Sequence, residues 1–286
     1  PCRYGPVSVE SAIAVSSDTF FYRIGEQIMV RNDFQPVLQN QVRLFGFGAD
    51  TGIELPFEFD GTVPDRELKR RYAELDVISD EEGENYYVGD NVQVAIGQGL
   101  LSATPLQLAT GYATIANGGF VLQPTIIKAI WNPGIPDSAE VGYVDFSGGT
   151  VFEDRSDPEL IRQVPMPESI RQPIVNGLRR VVCPQGGCGV DSDFYHKTTG
   201  EYLFNDYPSE AIQLGGKTGT AQGANNYPWN DSSVFTGFSA DDERPWVVTA
   251  YLEKAGYGSQ AAAPVVKCTF LALSGVTAMD PVELAE

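Results

Sequence analysis

The chain has 286 residues, 42% of them hydrophobic, which is ample material for one large core and is read as one domain. Its formal net charge of -19 argues against nucleic acid or anionic membrane surfaces as partners, and no run approaches the roughly eighteen consecutive apolar residues that read as a membrane span. The single histidine, His196, excludes a histidine-rich metal site and argues against a Ser-His-Asp triad.

In chain order, Ile13, Ser17, Phe20 and Ile24 recur at helical spacing, and the Ser16-Ser17-Asp18 cluster within that run marks a junction between helices. Two readings stand there. Asp18 caps a helix that begins near Thr19, or Ser16 and Asp18 project from the junction into a cleft, one to relay a proton and the other to hold substrate. Residues 80–84 are a charge run that reads as a solvated loop. Thr104 is placed to N-cap a helix with Pro105 at its first position; Ala109, Tyr112, Ala113 and Ala116 share one face, and Gly118 is placed to end it.

Residues 133–168, rich in Pro, Gly, Ser and Asp without a period, read as a surface excursion. Ile170, Ile174, Leu178 and Val181 then mark a second helix, with Arg179 and Arg180 near its C-terminus where cations suit the dipole. Cys183 and Cys188 bracket a short Gly-rich loop, and a disulfide between them is favoured in an oxidising compartment, over half a zinc site or free thiols. His196 follows a polar loop and reads as a solvated residue.

Ile212 and Leu214 alternate ahead of Gly215-Gly216-Lys217-Thr218-Gly219-Thr220-Ala221, which predicts an edge strand able to accept an extended peptide. The glycines are expected to let a ligand backbone lie close. Lys217 supplies a compact cation for a carboxylate, Thr218 and Thr220 supply hydroxyl donors, and the Thr220 N–H is placed to stabilise an oxyanion. A Gly/Thr-rich turn with an exposed lysine is the competing reading. Residues 233–240 and 246–253 predict a hairpin beside that strand, and Val266, Phe270 and Leu273 a final helix closed by Gly275. Residues 279–286 are expected to form a flexible tail.

Ser16-x-Asp18 followed about 200 residues later by Lys217-Thr218-Gly219-Thr220 is the order of the second and third motifs of the penicillin-interacting serine acyltransferases, whose set is S-x-x-K, S-x-N/D and K-T-G. Phe45-Gly46-Phe47-Gly48, Ala95-Ile96-Gly97-Gln98-Gly99, Thr104-Pro105-Leu106-Gln107-Leu108-Ala109 and the segments 113–119, 234–238 and 258–264 extend the likeness. From about Val7 to Gly275 the chain resembles the transpeptidase domain of class B penicillin-binding proteins, most closely the elongation-type members.

The resemblance implies an α/β, serine β-lactamase/D,D-peptidase-like fold: an antiparallel five-stranded sheet flanked by helices, plus a helical lobe. Residues 1–278 would be the C-terminal part of that domain. The activity it implies is cross-linking of peptidoglycan stem peptides through an acyl-enzyme, without a metal or other cofactor. Ser16 and Lys217 are the implied catalytic residues, the first relaying a proton and the second stabilising charge beside it. Asp18, where the family usually has asparagine, and Thr218, Gly219 and Thr220 are the implied substrate-binding residues.

The family's nucleophile and base, the serine and lysine of S-x-x-K, are not found, since no serine here stands three residues before a lysine. The chain is therefore expected to be truncated at its start and inactive alone, with a membrane anchor upstream of Pro1 holding the complete protein on the extracytoplasmic face of the bacterial plasma membrane. Stem peptides, β-lactam antibiotics and a membrane glycosyltransferase are the implied partners. A β-lactamase or β-lactam sensor of the same fold, and a catalytically silent peptide-binding or scaffolding domain, are the alternatives.

Overall fold

The computed structural model describes residues 5–276 except 133–148, 185–186, 188–195, 209–210, 224–229 and 242. Ser8 caps α1 (Val9–Ala14) through its side chain, and the junction after α1 leads directly into α2 (Asp18–Arg31). The helical lobe continues with α3 (Val37–Leu44), α4 (Arg66–Glu74), α5 (Asp80–Gly83) and α6 (Val88–Val94). Residues 80–84 depart from the solvated loop expected of a charge run. Ser79 and Glu82 form a reciprocal capping box, and the acidic side chains stand at a helix N-terminus, where the dipole favours them.

Helix α7 (Pro105–Ala116) follows the sequence closely: Thr104 accepts from the Gln107 N–H, the Gln107 side chain accepts from the Thr104 N–H, and Gly118 lies at φ 88° just past the end. Two short ribbons come next, β1 (Phe120–Leu122) with β4 (Leu160–Gln163), and β2 (Ala129–Asn132) with β3 (Thr150–Asp154). The expected surface excursion thus carries strands where it is described. Helix α8 (Glu168–Val182) leads through a π-helical turn, Lys197–Leu203, to β5 (Leu214–Ala221), β6 (Ser232–Ser239) and β7 (Val247–Leu252), and the fold closes with α9 (Ala262–Leu273).

The central sheet is antiparallel in the order β5-β6-β7, so that among the described residues it has three strands where the resemblance implies five. Lys217 pairs with Thr236, and the second edge of β5 pairs with no described strand. Phe235 and Phe238, three residues apart on β6, point to opposite faces. Phe235 joins α9 through Val266 and Phe270, while Phe238 joins Ile13 of α1 and Val175 and Leu178 of α8. This sandwich positions α1, and with it Ser16, over the face of β5 that carries Lys217. Cys183 is disulfide-bonded; its expected partner Cys188 and the expected tail lie outside the described residues.

Gly177 sets the distance between α8 and α1. A Cβ there would meet the Glu10 carbonyl oxygen and Ile13 Cβ, each at 2.8 Å. An ordinary helical Gly→Ala change stabilises by roughly 1 kcal/mol, whereas overpacking costs about 1–3 kcal/mol. Gly177→Ala is expected to destabilise by about 1–2 kcal/mol in denaturant unfolding; a gain in stability would show that α1 is free to move away.

Candidate active site

The Ser16 hydroxyl is aimed by an unusual helix ending. Val15 is the C-cap of α1; the Ser16 N–H donates to the Ile13 carbonyl at 3.2 Å and the Ser17 N–H to the Ala12 carbonyl at 2.9 Å. That pair of bonds defines a Schellman ending, which calls for a left-handed residue at the position Ser16 occupies, usually glycine. Ser16 adopts it at φ 52°, a conformation that costs a non-glycine residue about 1–2 kcal/mol. Such strain in a side-chain-bearing residue is a mark of a functional position. Chain reversal at this point starts α2 at once, with Ser17 as N-cap but with no capping bond from its side chain. Asp18 is the first helical residue rather than the cap, and it is exposed.

Lys217 reaches Ser16 from β5. Its Nζ donates to Ser16 Oγ at 2.6 Å, to the Thr218 carbonyl at 3.0 Å and to Thr218 Oγ1 at 3.2 Å. Three ammonium protons thereby meet three acceptors. Ser16 Oγ accepts from Lys217, and its own hydrogen has no acceptor among the described residues, so the hydroxyl is left able to donate to a ligand. Burial pushes the Lys217 pKa down to about 8, while the Asp18 carboxylate pulls it back up. The ammonium therefore dominates at neutral pH but yields its proton more readily than an exposed lysine.

The structure thus brings Ser16 and Lys217 into contact, with the Asp18 carboxylate near enough to act on the Lys217 charge, and Thr218, Gly219 and Thr220 follow Lys217 on the same strand. The glycines divide into two kinds. A Cβ on Gly215 would meet the Phe238 ring at 2.5 Å, and one on Gly216 the Phe235 ring at 2.7 Å. These two residues make room for core aromatics, not for the ligand backbone expected from sequence. Gly219 is different, because a Cβ there would meet nothing nearer than Val234 Cβ at 3.4 Å.

Residues outside the sequence-derived set also build the site. Gln98, between Gly97 and Gly99 at φ 76° and 73°, donates from Nε2 to the Thr220 carbonyl at 3.0 Å. Left-handed glycines on both sides of a polar side chain were the available signal. Gly258 lies against the strand so closely that a Cβ would come within 2.5 Å of the Gly219 carbonyl oxygen. Ser233 fixes that turn: its Oγ donates to the Tyr257 carbonyl and accepts from the Ala262 N–H, both at 2.9 Å. His196 is not a solvated loop residue. It is half-buried, its Nδ1 caps the π-helical turn by accepting from the Thr199 N–H, and burial, with the Lys217 charge adding to it, lowers its pKa to about 4. Among the described residues no three of His, Cys, Asp or Glu are grouped as metal ligands would be.

The family model described as "Penicillin binding protein transpeptidase domain" matches residues 1–270. The chain is 30% identical over 277 residues to the peptidoglycan D,D-transpeptidase MrdA of Haemophilus influenzae, covering 92% of this chain and 36% of that protein. The structure of Pseudomonas aeruginosa PBP2 in complex with WCK 5153 aligns with a TM-score of 0.69 and 27% identity, covering 99% of this chain and 53% of the other. That of PBP2 in complex with MreC from Helicobacter pylori aligns with a TM-score of 0.62 and 25% identity, over 95% and 41% of the two chains. The chain spans about a third of the length of the first curated relatives it matches.

Replacing Ser16 separates backbone strain from hydroxyl chemistry. Ser16→Ala and Ser16→Gly both remove the acceptor for Lys217, but only glycine relieves the left-handed strain. Ser16→Gly should therefore be more stable than Ser16→Ala by about 1 kcal/mol in denaturant unfolding. Equal stabilities would mean that the α1–α2 junction relaxes without strain.

Proposed function

The chain belongs to the penicillin binding protein transpeptidase domain family, and on that premise we propose that it is the substrate-gripping part of a D,D-transpeptidase that cross-links peptidoglycan stem peptides. The observation that carries this reading is the 2.6 Å contact of Lys217 Nζ with Ser16 Oγ on β5, a strand whose second edge pairs with no described strand. The family's attacking serine and its lysine belong to an S-x-x-K segment that these 286 residues do not contain. The serine oxygen attacks the penultimate D-alanyl carbonyl; collapse of the tetrahedral adduct breaks the amide C–N bond, and D-alanine leaves as its nitrogen takes a proton. An amine of a neighbouring stem peptide then displaces the serine from the acyl group.

In that sequence Ser16 donates its free hydrogen to the leaving nitrogen, and the Lys217 ammonium stabilises the oxygen left behind. Thr218 and Thr220 hold the terminal carboxylate with their hydroxyls, Gly219 lets the peptide approach the strand, and Asp18 accepts from substrate amide groups. A cation in a desolvated cleft suits a carboxylate against the acidic background of the chain. β-Lactams occupy the same grip as mimics of D-Ala-D-Ala. We place the complete protein on the extracytoplasmic face of the plasma membrane, anchored upstream and paired with a membrane glycosyltransferase. Among the described residues no helix is long and apolar enough to cross a membrane.

Fluorescent penicillin tests the reading. The 286-residue chain alone should take no covalent label, and the protein carrying its S-x-x-K segment should take one that survives denaturing electrophoresis. A label on the chain alone would make one of its own serines the nucleophile.

The lowered Lys217 pKa gives a separate expectation with a definite sign. The charged form is the one that stabilises the relay, so the acylation rate should fall as pH rises through about 8, in stopped-flow measurements. Lys217→Ala should slow acylation at neutral pH by at least about tenfold, or roughly 1.4 kcal/mol, and remove that limb of the profile.

A further inference from the structure

We propose that Gln98 is a positioning residue for the transpeptidase reaction: from the helical lobe its side-chain amide holds the end of β5, and with it the Thr220 N–H that bonds the oxygen on which negative charge develops. The inference rests on the function proposed above and adds to it a residue that belongs to neither the Ser16-Asp18 nor the Lys217-Thr220 segment.

The register of the sheet shows which groups Gln98 meets. Ala240 donates from its N–H to the Gln213 carbonyl at 2.8 Å, and the pairing runs on in step from Leu214 with Ser239 to Ala221 with Ser232. Backbone groups alternate between the two edges of a strand, so those of Gln213, Gly215, Lys217 and Gly219 face β6. Those of Thr218 and Thr220 face the second edge, which pairs with no described strand. Side chains take both carbonyls there. The Thr218 carbonyl accepts from Lys217 Nζ and the Thr220 carbonyl from Gln98 Nε2, each at 3.0 Å. The Thr220 N–H faces the same edge, and a backbone N–H fixed in place is the kind of donor that an oxygen gaining negative charge requires.

Gln98 is aimed by the ending of α6. The Gln98 N–H donates to the Gln93 carbonyl at 2.9 Å and the Gly97 N–H to the Val94 carbonyl at 3.0 Å, with Gly97 left-handed at φ 76°. That is a Schellman ending, in which the residue after the glycine often makes an apolar contact back to the helix. Here that residue is an amide that crosses to a strand 122 positions away. Helix α6 itself is seated on α2, the helix that starts two residues after Ser16: Asn91 Nδ2 donates to the Gly25 carbonyl at 2.7 Å, and a Cβ on Gly25 would meet Ala95 Cβ at 2.8 Å. Lobe and strand are thus joined at two points in opposite senses, by Lys217 reaching Ser16 and by Gln98 reaching Thr220. Three residues of β5 separate those points, about 10 Å. The spacing matters to the chemistry, because Ser16 serves the leaving nitrogen and the Thr220 N–H serves the oxygen of the same reacting carbonyl group.

Stopped-flow acylation by fluorescent penicillin, in the protein that carries its S-x-x-K segment, tests the role. Gln98→Glu keeps the shape and loses the donor; Gln98→Met keeps the length without polar atoms. Each should lower the limiting rate at saturating penicillin at least tenfold and change the half-saturating concentration less than threefold, since an interaction made only in the transition state shows in the limiting rate. The fall in rate as pH rises through about 8 should persist in both, because Lys217 keeps its own contacts. Circular dichroism melting checks the fold, and should one variant unfold the other decides. An unchanged limiting rate, a loss confined to the half-saturating concentration, or disappearance of the pH limb would overturn the proposal, the last by tracing the effect to a displaced Lys217. Two variants that both fail to fold would assign Gln98 to stability and overturn it as well. Wild-type protein that takes no label would overturn the transpeptidase reading itself, and this role with it.

Discussion

The contact between Lys217 Nζ and Ser16 Oγ joins residues 201 positions apart in the chain, and the remainder of the site depends on it. One partner sits on an edge strand and the other at a strained helix ending, so neither segment alone specifies the geometry. A desolvated ammonium costs free energy unless its protons are all bonded. Here three acceptors meet three protons, and Ser16 supplies the shortest of the three bonds. Removing that hydroxyl would leave the lysine short of one partner.

The fold protects this contact from both faces of the sheet. Phe235 and Phe238 lie over Gly216 and Gly215 so closely that a Cβ at either position would push the ring aside. Those rings fix the height of β5, while Gly177 fixes the height of α1 over it. Ser233 and Gly258 hold the turn before α9 against Gly219, and Gln98 ties the strand end to the helical lobe through the Thr220 carbonyl. Positional accuracy in the site thus comes from close backbone approach rather than from a dense network of charges, which fits a strand whose open edge must stay available.

Much of this was legible in the sequence because it rests on local rules. Thr104, Pro105 and Gln107 announce α7 by capping chemistry, and the alternation of Ile212 and Leu214 announces β5. The order of Ser16, Asp18 and Lys217 carried the family. What sequence could not supply was tertiary. Gly215 and Gly216 look like ligand clearance until the aromatic rings of β6 are placed on them. His196 looks solvated until the π-helical turn buries it and its Nδ1 is seen to cap that turn. The charge run at residues 80–84 became helical because Ser79 and Glu82 cap one another, a reciprocal signal outweighed in the sequence by the density of acids. The left-handed Ser16 was invisible for a simpler reason: propensity assigns that conformation to glycine.

A double-mutant cycle on penicillin acylation tests the central claim most directly, comparing Ser16→Ala, Lys217→Ala and their combination in the protein that carries its S-x-x-K segment. If the two side chains act as one unit, the double variant should be scarcely slower than the worse single one, giving a coupling of about 1–3 kcal/mol, as residues in contact show. Additive losses, with coupling below about 0.5 kcal/mol, would mean that Ser16 and Lys217 act independently and that the 2.6 Å contact is not the basis of the site.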